Sequence, residues 1–155
     1  MGGKKLKYEK KPFESTLQPS DTSANIYESM MLSTAWQDLS ASARVLYLTC
    51  KSQYYSEKKK PVEDDRETFT MNQQKWAEKY HLYTKENHRG FQRDMESLIM
   101  HGFVKCVECG AVTRTKSIYK FSADWMHFDP SSVIEVDCAN MTDAMRRKIR
   151  KKEIE

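Results

Sequence analysis

Apolar residues recur along the chain at spacings that predict its elements one by one. Ala43, Leu46, Tyr47, Cys50 and Tyr54 form one face of a helix that Ser40 or Ser42 can cap, and Tyr27, Met30, Met31 and Trp36 form an apolar lead-in to it. ETFTM alternates β-prone Thr68, Phe69 and Thr70 as a short strand. MNQQKWAEKYHL reads as a second helix, with Asn72 as N-cap and Trp76, Ala77 and Tyr80 turned inward, followed by a turn over His81 to Thr84. Phe91, Met95, Leu98 and Ile99 lie at i, i+4, i+7 and i+8, the stripe of a third helix that must stop at or just before Gly102. FVKCV and SIYKF then make a hairpin around a polar connection holding Gly110, Arg114 and Lys116.

The flanks read differently. Residues 1–24 carry five lysines, two prolines and the polar run QPSDTSAN, too little apolar area to offset the entropy of ordering, so this segment is expected to be a flexible basic arm. SEKKKPVEDDRE reads as a charged, solvated loop. Residues 123–155 form a C-terminal extension. Trp125, Phe128, Val133 and Ile134 are expected against the body, and MTDAMRRKIRKKEIE makes a closing helix capped by Thr142 or Asp143, with cations in its C-terminal half. The main domain is thus expected over 25–122.

Composition narrows the function classes. At 155 residues the chain suits one domain plus tails. Lys and Arg outnumber Asp and Glu by 26 to 22, a mild excess compatible with a polyanion. No run reaches the ~18 apolar residues of a membrane span, MGGKKLKYEKK lacks a signal-peptide core, and Leu6 stands where a myristoylation signal prefers Ser or Thr. A cytoplasmic protein without a membrane partner is expected. Four cysteines, three of them in segments that can build a core without them, do not suggest a disulfide framework.

Catalytic signatures are missing from the string: there is no Walker loop, no G-x-S-x-G and no H-E-x-x-H, so the chain is not read as an enzyme. Cys50 reads as a small buried hydrophobe. Cys106 and Cys109 form a lone C-x-x-C, which needs two further ligands to hold zinc; Cys138 with His101 or His127 is the available completion. Strand alternation sends Cys106 and Cys109 to opposite faces unless a turn intervenes. No metal and no cofactor are therefore expected.

Helix, strand, helix, turn, helix and β-hairpin, in that order, define a mainly α fold with a small β-hairpin (α+β), the succession of a winged helix-turn-helix. LSASARVLYLTC and MNQQKWAEKYHLYTKENHRGFQRDMESLIMHGFVKC resemble, over residues 27 to about 122, the small winged-helix DNA-binding proteins of Gram-positive plasmids, phages and integrative conjugative elements. They are also similar to N-terminal domains of plasmid replication initiators. That resemblance implies double-stranded DNA as partner and a role in replication initiation or transcriptional regulation, alongside a replication or transcription protein. HLYTKEN is longer than the usual inter-helix turn, so Thr84 and Asn87 both stand as caps of the third helix.

On that helix the face opposite the stripe holds Glu86, Arg89, Gly90 and Arg93, flanked by Gln92 and Glu96. Arg89 and Arg93 sit one turn apart, where an arginine can take guanine through two hydrogen bonds. Gln92, Asn87 and Lys85 are secondary candidates, and His88 reads as a half-buried, satisfied histidine. Gly90 has two readings, a bare surface that lets the helix approach a groove closely, or a kink or late helix start. Gln73 and Gln74 open the preceding helix, where free amides favour a phosphate, and Arg114 and Lys116 add backbone charge at the wing. A palindromic site would require a homodimer, for which no heptad seam is present. The competing reading is a winged-helix protein-interaction module using the helix pair and NIYESMML; RNA binding lacks stacked aromatics.

Overall fold

A computed structural model describes residues 24–56, 68–71, 79–84, 86–131 and 138. The expected N-terminal arm, charged loop and C-terminal helix, and most of the expected second helix, lie outside them. Within them the fold is mixed α+β. Three helices, α1 (Glu28–Met31), α2 (Thr34–Asp38) and α3 (Ala41–Ser56), precede strand β1 (Thr68–Thr70). Helix α4 (His88–Met100) leads into β2 (Val104–Glu108), the short helix α5 (Gly110–Thr113) and β3 (Ile118–Phe121), and a 3-10 turn spans Asp124–His127. The antiparallel sheet has the order β1-β3-β2, with Phe69 opposite Tyr119 and Val104 opposite Phe121.

Ser40 starts α3 by accepting the Ala43 N–H, which decides between the two capping serines. Ala43, Leu46, Tyr47 and Cys50 are buried, and Cys50 Sγ meets Met71 Sδ at 3.8 Å, the packing role expected of it. The side chain of Tyr54 lies outside the description. Arg44 ties α3 back to α2, donating from Nε to the Trp36 carbonyl at 3.0 Å and from Nη2 to that of Gln37 at 2.8 Å. In the lead-in Met30 and Trp36 are buried, whereas Tyr27 and Met31 are exposed, because α1 is a single turn and presents only one side to the core.

Phe103 is the hub of the core. It packs edge-on against Trp36 and Tyr47, at centroid distances of 5.8 and 5.2 Å, and stacks on Trp125 at 5.9 Å. Trp125 and Phe128 thus reach the core as anticipated, joined by Tyr80 from the described end of the second helix; Trp76, Ala77, Val133 and Ile134 are not described. Phe69 stacks on Phe121 at 4.6 Å and seals the sheet side.

Helix α4 ends at Met100, and Gly102 follows with φ +75, the left-handed conformation that lets the chain turn into β2. A Cβ at this glycine would lie 2.6 Å from the Trp125 backbone nitrogen. Gly102→Ala is therefore expected to cost at least about 2 kcal/mol in urea unfolding, combining left-handed strain with a backbone clash.

Candidate nucleic-acid interface

Helix α4 begins at His88 with Asn87 as its N-cap, which resolves the choice of start in favour of the later residue. Asn87 Oδ1 accepts the Gly90 N–H at 2.9 Å. Gly90 lies buried, and a Cβ there would come within 2.8 Å of the Asn87 side-chain amide. Of the two readings of Gly90 the structure favours the late helix start over the groove-facing surface: Gly90 sits beneath its own cap, at the third helical position, and offers no bare surface. The Asn87 amide oxygen is likewise engaged in capping. Gly90→Ala is expected to change stability by less than about 1 kcal/mol, since the gain in helix propensity offsets a displaced cap. A loss above about 2 kcal/mol in thermal unfolding would contradict that account.

The buried side of α4 is wider than its apolar stripe. Gly90, Phe91, Asp94, Met95 and Leu98 are buried, and Asp94 retains only 1% of its exposure. Its carboxylate accepts the Tyr83 hydroxyl at 2.6 Å and Arg93 Nε–H at 3.2 Å, with Ser40 Oγ at 3.5 Å. Burial first, then the bond to Asp94 and its charge, push the Tyr83 phenol above its usual value and keep it a donor. This network locks α4 to the start of α3 and to the preceding turn, where His81 takes φ 52. In the sequence Tyr83 falls in a plain turn, and the sign of a buried Asp94 is its position three residues after Phe91 and four before Leu98.

The opposite arc carries His88, Arg89, Gln92 and Arg93, all exposed. The expectation of a half-buried His88 is corrected by the late start, which leaves it at the first, open turn. Arg93 keeps 68% of its side-chain exposure while Asp94 holds its Nε, so the rest of the guanidinium points outward from a fixed base. Glu96 lies partly exposed beside them. Lys85, Gln73 and Gln74 fall outside the described residues.

Across the hairpin, Arg114 and Lys116 are exposed in the connection between β2 and β3, Arg114 at φ 56. Lys105 projects from β2 but is paired with Asp124 at 2.8 Å. Gly110 is buried against the Thr115 backbone, so the connection folds tightly on itself.

His101 is committed elsewhere. Its Nε2 meets Asp38 Oδ2 at 2.8 Å, its Nδ1 meets the Ser97 carbonyl at 2.7 Å, and its ring stacks on Phe128. Both ring nitrogens are thus engaged by groups other than the cysteines. Among the described residues no group of three or more His, Cys, Asp or Glu is placed to hold a metal ion, and no helix is long and apolar enough to cross a membrane. No family model, no curated protein and no solved structure matches the chain.

Proposed function

We propose that the chain is a winged-helix protein that docks α4 in the major groove of double-stranded DNA, with the β2–β3 hairpin as its wing. The observation that carries this reading is the division of α4. One face is anchored by Phe91, Met95, Leu98 and the Asp94 network, while the other presents Arg89, Gln92 and Arg93 outward near the helix start. A reading helix needs that combination of rigid support and free donors. The three-stranded sheet and the exposed Arg114 and Lys116 are compatible with a wing that meets phosphates. Action in replication initiation or transcriptional regulation of a mobile element rests on the sequence resemblance alone.

A second reading has its own observation: Tyr27, Met31 and Leu32 are exposed close together in sequence at α1, as an interaction module would have them. Fluorescence anisotropy against a duplex library separates the two. With about four phosphate contacts, duplex affinity should fall about 100-fold between roughly 50 and 200 mM salt. Absence of duplex binding at low salt would favour the protein-interaction module.

A further inference from the structure

Three of the four cysteines collect outside the main core. Cys106 lies on the inward side of β2, opposite Tyr119 of β3. Cys109 immediately precedes α5. A register shift between Cys106 and Glu108, followed by the end of the strand, cancels the alternation that would have separated them. Cys138 joins from a point 32 residues beyond Cys106, and its Sγ touches Cys106 Sγ at 2.7 Å. Ile99 and Tyr119 pack around the three thiols. Cys50 is set apart, buried in the main core against a thioether.

Zinc would need about four ligands in tetrahedral array, and among the described residues no group of His, Cys, Asp or Glu is placed to supply them here. Closing a covalent bond requires the two sulfurs to approach by less than about 1 Å. We propose that Cys106 and Cys138 are a reversible dithiol–disulfide site, with Cys109 as its exchange thiol, closed by peroxide so that residue 138 becomes covalently joined to β2.

Cys109, the most exposed of the three at 9%, meets the oxidant first. Its thiolate attacks hydrogen peroxide, giving a sulfenic acid and hydroxide. The Cys106 thiol displaces water from that sulfur and forms a Cys106–Cys109 disulfide. The Cys138 thiolate then attacks Cys106 Sγ, and Cys109 leaves as thiolate. Two thiols are oxidised overall and one peroxide is reduced to two waters. Burial, then the contact with Cys138, push the Cys106 thiol up, so closure is slow at neutral pH.

Peroxide treatment of the full chain, followed by alkylation and peptide mapping, tests this. The expected product is a monomer lighter by two hydrogens, with Cys106 linked to Cys138, reopened by dithiothreitol and melting higher by on the order of 10 °C from closure of the long loop. Cys109→Ser should slow closure at least about tenfold without changing the final linkage, through loss of the relay. Cys138→Ala should stop at Cys106–Cys109. A final Cys106–Cys109 bond in the wild type, a Cys138-linked dimer, or thiols shielded from alkylation by a metal that a chelator removes would overturn the proposal. Should Cys138→Ala fail to fold, the wild-type peptide map still decides.

Discussion

Phe103→Ala will destabilise the protein by about 4 kcal/mol, the largest effect expected of any single truncation in the described core. The ring is fully buried and touches three other aromatic rings that come from α2, α3 and the 3-10 turn. Truncation opens a cavity those rings cannot fill, because each is held by its own element. Its backbone also bridges the Leu98 carbonyl and the Ser122 N–H, so the vacated side chain lies at the junction of α4 with the hairpin. Equilibrium urea unfolding measures the loss, and a value under about 1.5 kcal/mol would mean that the junction collapses to fill the space.

Asp94→Ala comes next, at about 3 kcal/mol, for a different reason. The carboxylate is the acceptor for the buried Tyr83 hydroxyl, and its removal leaves that donor unsatisfied. Asp94→Asn keeps one acceptor oxygen, enough for the Tyr83 hydroxyl, and should cost about 1–2 kcal/mol, since the charge assistance and the bond from Arg93 Nε are lost. Because the Tyr83 phenol is held above its unfolded value, the stability it contributes is fully present below about pH 10 and lost as pH rises further. Tyr83→Phe should therefore be less stable near neutrality and lose less at alkaline pH. Equal losses for Asp94→Ala and Asp94→Asn would contradict the hydrogen-bond account.

Helices α3 and α4 and the strands were readable from spacing, whereas the short helices α1, α2 and α5 were not anticipated. Ala43, Leu46, Tyr47 and Cys50 are buried at helical periodicity, as are Phe91, Met95 and Leu98, and both hairpin strands and the short strand at Thr68–Thr70 fall where β-prone residues alternate. What escaped was set by polar groups and local chain geometry. Asp94 looks like a boundary residue until Tyr83 is found to be its partner, and a binary pattern cannot express a buried carboxylate with its own donor. Of the two readings of Gly90, a bare groove-facing surface and a late helix start, the cap at Asn87 favours the second and covers Gly90 itself, while Arg89 and Arg93 stay exposed. Cys106 and Cys109 met only because a strand irregularity, invisible in composition, reset the alternation.

Of the proposed contacts, Arg89 and Arg93 stand out because both are exposed on a helix anchored from behind, and Asp94 holds Arg93 Nε. The most direct measurement is the affinity of Arg89→Ala and Arg93→Ala for a duplex recovered by unbiased selection, with unfolding of each variant followed alongside. Affinity or selectivity should fall by about 1–3 kcal/mol for each substitution that removes a base contact, with the unfolding midpoint unchanged. Wild-type affinity in both variants would contradict the assignment of α4 as the reading helix.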